Sequence, residues 1–293
     1  MALADRIART VSADGQIRAL AVVTTGVVEE ARQRHGTLPT ATAALGRALT
    51  GALLLAGTLG KRDERLSLEF RGDGPLRQIL VDATPDGDVR GFVLRPTTHL
   101  PPRGGKLDVG GAVGKGVLCV MRVPLAGGSL YRSVVPLESG EIGQDLVRYL
   151  HDSEQMPAAL GVGVWLEADG RVGAAGGWLV QGLPGATALA LEEVATRVAA
   201  LAPPSDLVRA GLGPTAIIAR LLGNERVPSL DERPVRFRCR CSTERVLAAI
   251  VAMGRSELEA LLASERYAEA QCEFCRTRYV VPEDALRAVL TTA

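Results

Sequence analysis

Four of the chain's five cysteines fall in its last quarter as two close pairs: Cys239 and Cys241 in "RFRCRC", and Cys272 and Cys275 in "QCEFC". In "PVRFRCRC" the strict alternation puts Val235, Phe237, Cys239 and Cys241 on one face of an expected strand, with the arginines off it. The two-residue gap of "CEFC" is that of a knuckle turn, which converges two sulfurs on one point. Two such pairs, thirty residues apart, fit one tetrahedral zinc ion per chain held by four thiolates. No histidine follows His151, so the ligand set is all sulfur and closed. A closed set leaves no position for substrate or an activated water, which argues against zinc hydrolysis. Cys119 stands alone in the apolar strand "GVLCVMRV" and is expected to pack in the core.

Paired thiols also have redox chemistry. Alternate residues of a strand have Cα atoms about 6.6 Å apart, twice the rise per residue. That is the upper edge of disulfide geometry, so closing Cys239 to Cys241 calls for backbone movement, whereas a turn closes Cys272 to Cys275 with less. The second pair is therefore expected to close first. Either closure competes with a metal held by all four sulfurs. The spacer between the pairs reads as two short helices, "STERVLAAIVAMG" stopping at Gly254 and "SELEALLASE" opening with Ser256 and Glu259 at capping-box spacing. A unit of this size has too little core to be secure alone. Metal binding would contribute about 10–16 kcal/mol of apparent folding free energy.

The rest of the chain has to position this unit. Over 293 residues the net charge is +1, which gives no global field directed at nucleic acid or an anionic membrane. The N-terminus has no apolar run followed by a small-residue cleavage site and does not read as a secretory signal. The stretch 41–60 approaches spanning length, but Arg47 lies inside it and it has no aromatic belt, so a buried helix is expected. These features place the protein in the cytoplasm, where thiols stay reduced.

Three parts follow along the chain. Residues 1–182 carry short alternating strands separated by turns such as "RGDGPL", "TPDGDVRG" and "LAGGSL". The expected fold class is α+β, with an antiparallel curved sheet packed on the long buried helix. Residues 183–232 read as a helical linker whose apolar residues, among them Leu191, Val194 and Val198, need a surface to cover. The breakers Pro203, Pro204 and Pro214 make it a marginal element that can detach. Residues 233–293 form a small α+β zinc domain.

The motifs "FRCRCSTERV" and "CEFCRTRYVV" resemble those of the heat shock protein 33 family, the 33 kDa redox-regulated chaperonins. The likeness extends over essentially the whole chain, through "DGQIRALAV", "ALGRALTGALLL", "RGDGPLRQILVDA", "GDVRGFV", "VGKGVL", "LESGEIGQDLVRYL" and "GGWLVQ". The resemblance implies a cytoplasmic stress-response holdase, not an enzyme, that is zinc-bound and inactive when reduced. Oxidation then forms the disulfides Cys239–Cys241 and Cys272–Cys275, releases zinc, unfolds the linker and yields a dimer. That form binds unfolding client proteins without ATP. It implies no nucleic-acid or membrane partner.

Two rival classes leave their own marks. A zinc-ribbon nucleic-acid binder would be strongly basic and studded with aromatics, whereas residues 233–293 hold ten arginines against eight acidic residues. A nucleotide enzyme would need the phosphate-loop pattern, but "DVGGAVGKG" has Val109 where glycine is required and Gly116 where serine or threonine is required. This stretch reads as a glycine-rich strand connection. His35, His99 and His151 read as solvated surface residues, and no nucleophile elbow is present.

Overall fold

The stretch read as a buried helix forms α2 (Pro39–Ala56), in which every residue from Thr40 to Ala56 except Arg47 is buried. The computed structural model describes residues 3–59, 63–125, 128–223, 231–264 and 267–292. A helix that is apolar all round has to be covered all round, and here two sheets do so. The first has five antiparallel strands: β1 (Arg6–Val11), β2 (Ile17–Val23), β8 (Ala158–Leu166), β9 (Val172–Gly182) and β10 (Asp231–Pro234), in the order β10-β1-β2-β9-β8. The second contains β3 (Glu64–Gly72), β4 (Gln78–Ala83), β5 (Asp88–Val93), β6 (Gly116–Pro124), β7 (Tyr131–Pro136) and β11 (Arg236–Phe237), in the order β11-β5-β4-β3-β6-β7. It is antiparallel except where β11 runs parallel to β5.

The α+β class expected from the sequence is the one observed, but with two sheets around the helix instead of one.

Packing around α2 is close. A Cβ on Gly46 would lie 2.6 Å from Val28 Cγ1 of α1 (Thr25–His35) and 2.8 Å from Val164 Cγ2 of β8. The single cation on the helix, Arg47, reaches the carboxylate of Glu141. His35 ends α1 buried rather than solvated, because α1 packs its last turn against the rest of the unit. His99 and His151 are exposed. The glycine-rich stretch 108–116 contains a single helical turn, α3 (Val109–Val113), capped by Asp108, whose carboxylate accepts from the Gly111 N–H. α4 (Gly143–Asp152) follows β7. Among the described residues no helix is long and apolar enough to cross a membrane.

On the far side of the first sheet lie α5 (Ala188–Ala199), α6 (Pro204–Arg209) and α7 (Pro214–Leu222). Val194, Leu207, Val208, Ile217, Ile218 and Leu221 join sheet residues such as Ile17, Trp178 and Val180 in one apolar cluster. Pro204 and Pro214 occupy the first helical turn of α6 and α7, where a missing N–H costs nothing, so the expected breakers also start helices. α5 is the loosest of the three. Only Val194 is fully buried, Leu189 is 67% exposed, and a cavity of about 190 Å³ remains between Leu191, Val194 and Val198 and the sheet residues Ile17, Ala159 and Val180.

The chain divides into two compact units, Met1–Arg238 and Cys239–Ala293. Residues 233–238, which the sequence assigned to the C-terminal part, lie in the first unit because β10 and β11 pair with β1 and β5. The second unit comprises α8 (Thr243–Val251), α9 (Arg255–Ser264), β12 (Tyr267–Gln271), β13 (Arg278–Pro282) and α10 (Glu283–Thr292). Its apolar core consists of Ile250, Leu258, Ala268, Val281 and Leu286, flanked by half-buried residues such as Val246 and Leu261.

Gly46→Ala should destabilise the first unit by about 1–3 kcal/mol, because both neighbours that the new methyl meets are β-branched and stiff. Urea unfolding followed by the fluorescence of Trp165 and Trp178 should show a lower midpoint at unchanged slope. A midpoint equal to that of the parent would contradict the packing argument.

Candidate metal centre

Each cysteine pair is placed by a local device. The segment bearing Cys239 and Cys241 lies between the end of β11 at Phe237 and the start of α8. The expected strand through both cysteines is not formed, because pairing with β5 stops at Phe237. Ser242 caps α8, its hydroxyl accepting from the Arg245 N–H, and so fixes the exit of the chain from Cys241.

Cys272 and Cys275 occupy the turn of the β12–β13 hairpin. The Cys272 N–H donates to Thr277 O at 3.0 Å, and the Arg276 N–H donates to Cys272 O at 2.8 Å. Arg276 takes the left-handed conformation at φ 60°, the tight bend that such a turn demands. Backbone N–H groups of Phe274 and Cys275 donate to the Cys272 sulfur, and that of Thr277 donates to the Cys275 sulfur. These bonds suit thiolates.

The four sulfurs all lie within 4.8 Å of one another, with Cys239 Sγ 3.7 Å from Cys272 Sγ and Cys241 Sγ 3.3 Å from Cys275 Sγ. A tetrahedron with metal–sulfur bonds of about 2.3 Å has edges of about 3.8 Å. All four cysteines are free thiols, Cys275 buried and the others half-buried. The donor set fits a closed site for a thiophilic ion such as zinc, with Cys239, Cys241, Cys272 and Cys275 as its ligands. Sulfur–sulfur contacts run between the pairs, Cys239 to Cys272 and Cys241 to Cys275, as well as within them, Cys239 to Cys241 and Cys272 to Cys275.

Electrostatics separate the thiols. Burial pushes Cys241 up to about 12, against the pull of the Tyr279 hydroxyl, which donates to its sulfur at 2.9 Å. Burial also raises Cys272. At Cys275 burial acts in the same direction, but Thr277, whose Oγ1 lies 3.2 Å from the sulfur, and the adjoining thiols outweigh it and bring the group down to about 7. Cys241 Sγ and Cys275 Sγ, 3.3 Å apart, share a hydrogen bond. Hydrogen bonding to the Cys241 sulfur, the largest influence, also pushes Tyr279 up to about 12.

Tyr279 and Thr277 were not singled out from the sequence. Their signal is the knuckle itself, which makes a hairpin and brings β13 back past the first cysteine pair. Cys119 is buried as expected but does not face the helix. Its register partner on β3 is Glu69, and the Arg132 guanidinium donates to its sulfur at 3.3 Å, so it lies on the polar face of the second sheet.

The sequence model of one protein family, described as "Hsp33 protein", matches residues 5–282. Among curated proteins, the 33 kDa chaperonin of Acaryochloris marina is 47% identical, covering 97% of this chain and 96% of its own length. That of Geobacillus sp. is 40% identical, covering 97% and 96%. The crystal structure of the 33 kDa chaperonin from Thermotoga maritima, described as a heat shock protein 33 homologue, superposes with a TM-score of 0.90 at 35% identity and covers 99% of each chain.

Tyr279→Phe removes the only side-chain hydroxyl that donates to Cys241 among the described residues. It should weaken metal binding by about tenfold, the lower range for loss of an outer partner of a ligand. Competition with a chromogenic chelator measures this, and an affinity equal to that of the parent would show that the Tyr279 hydroxyl does not support the site.

Proposed function

Because the chain belongs to the Hsp33 family, we propose that it is a redox-regulated, ATP-independent holdase, inactive when reduced and zinc-bound. The observation that carries this reading is the gathering of four thiols within 4.8 Å, in a unit whose apolar core, among the described residues, is the small cluster Ile250, Leu258, Ala268, Val281 and Leu286. One zinc ion per chain on Cys239, Cys241, Cys272 and Cys275 supplies folding free energy to that unit, about 10–16 kcal/mol of apparent binding energy in small zinc peptides.

Oxidation removes the ligands. Cys239 with Cys241, and Cys272 with Cys275, each form one S–S bond from two thiolates and give up two electrons to an oxidant of the peroxide class, which takes two protons from solvent and is reduced to water. A sulfur in a disulfide is no longer a thiolate ligand, so the unit 239–293 loses its cross-link and unfolds. The segment 183–232 then leaves the first sheet. Its weakest hold is at α5, where Leu191 and Val198 are only partly buried above a cavity. Its departure uncovers the face formed by Ile17, Trp178 and Val180, an apolar patch of the kind that takes up other apolar surfaces. In this reading the domains are 1–182 for client binding, 183–232 as linker and 233–293 as switch. The protein is a cytoplasmic stress-response chaperone, dimeric when active, without enzymatic turnover and without a nucleic-acid or membrane partner.

Light scattering of a heat-denaturing client tests the reading directly. Oxidised protein should suppress aggregation while released zinc is measured in parallel, and reduced protein should not. A double variant, Leu191→Ser with Val198→Ser, should suppress aggregation without oxidant, because the cover is loosened; if it stays as inactive as the reduced parent, the linker is not the cover. Peptide mapping of the oxidised chain should recover the Cys239–Cys241 and Cys272–Cys275 bonds. A predominant Cys241–Cys275 bond would show that proximity in the reduced state decides the pairing instead.

A further inference from the structure

The segment 231–238 lies along an edge of both sheets. As β10 it extends the first sheet beyond β1, and as β11 it extends the second beyond β5. The Val235 N–H donates to Asp5 O at 3.1 Å. The alternation of bonds in an antiparallel pair then leaves Pro234, opposite Arg6, where no N–H is called for, which is why a proline is tolerated there. Further on, the N–H groups of Arg236 and Arg238 donate to Gly87 O at 3.0 Å and Val89 O at 2.8 Å.

Side chains fasten the same segment. Glu232 pairs with Arg6 and Asp231 with Arg9 along β1, while Arg236 and Arg238 both reach the buried carboxylate of Asp88 in β5. Val235 and Phe237 are buried, and the Arg34 guanidinium lies 5.3 Å from the Phe237 ring centroid. Gly87, at φ 90°, permits the approach, since a Cβ there would lie 2.5 Å from Pro234 O.

A sheet edge is a row of unpaired backbone groups that an added strand can complete. Here one extended segment of mixed charge, with apolar residues at alternate positions, completes two edges at once. An extended stretch of an unfolding polypeptide has the same chemistry. The segment ends at Arg238, and the next residue is Cys239.

We propose that residues 231–238 are a built-in stand-in for client, and that in the active protein this segment peels away and extended client segments add as strands to the edges of β1 and β5. The proposal rests on the holdase reading above and names the backbone surface that reading leaves open. The two edges differ in charge: β1 offers Arg6 and Arg9 to acidic residues, and β5 offers Asp88 to basic ones.

Hydrogen–deuterium exchange on the full chain tests this. Three states are compared: reduced with zinc, oxidised, and oxidised with a saturating heat-unfolded client, with client scattering recorded in parallel. On oxidation, peptides covering 6–11 and 88–93 should exchange faster. With client bound, their amides should slow by about tenfold, since each new backbone hydrogen bond must open before exchange. If the client is held while both edges keep the rate of the client-free oxidised protein, the proposal is overturned and the holdase reading stands. Edges that stay protected on oxidation overturn it as well, because the segment has not left. A client that is not held at all removes the holdase reading and this proposal with it.

Discussion

Four sulfur atoms within 4.8 Å of one another bring the two cysteine-bearing segments of the C-terminal unit to a single point. Among the described residues, its buried apolar cluster draws one or two side chains from each of two helices, a hairpin and a final helix. A core of that size sits near the balance between apolar burial and chain entropy. The hydrogen bonds of the site lean the same way: backbone N–H groups and the Tyr279 hydroxyl point donors at sulfur, and Thr277 Oγ1 lies 3.2 Å from the Cys275 sulfur. A site furnished with donors is suited to thiolates.

The N-terminal unit is built on the opposite principle. α2 is covered by sheets on both sides, and its contacts are close enough that Gly46 has no room for a methyl group. Such a core keeps its shape when material is removed from its periphery. What lies outside it is graded. α7 is anchored by Ile217, Ile218 and Leu221, all fully buried, whereas α5 rests on a single buried valine above a cavity. A firm core under a loosely held helix is the arrangement expected where part of a protein must open while the rest persists.

The segment joining these two principles is short and heavily paired. Between residues 231 and 238 every charged side chain has an ionic or hydrogen-bonded partner in the first unit. Surface ion pairs contribute little individually. Here they act together with ladder hydrogen bonds and two buried apolar side chains, and Asp88 is buried beneath the arginines it holds. The last anchored residue directly precedes the first cysteine.

Much of this was legible from residue order because it is local. The pair spacings announce a four-sulfur site, since a knuckle turn needs only four residues. Seventeen consecutive residues from Thr40 to Ala56 with one charge announce a buried helix. Leu191, Val194 and Val198 recur at the helical period and announce an apolar stripe in need of cover. The tertiary structure decided what no local pattern carries: that two sheets enclose α2, that Phe237 belongs to the first unit while Cys239 belongs to the second, that His35 is buried, and that Tyr279 returns to Cys241. The physical reason is common to all four. Periodicity records which face of an element avoids water, but the partner that covers it is chosen by shape and hydrogen bonding across long stretches of chain. A strand such as β11 owes its existence to the unpaired edge of β5, almost 150 residues earlier.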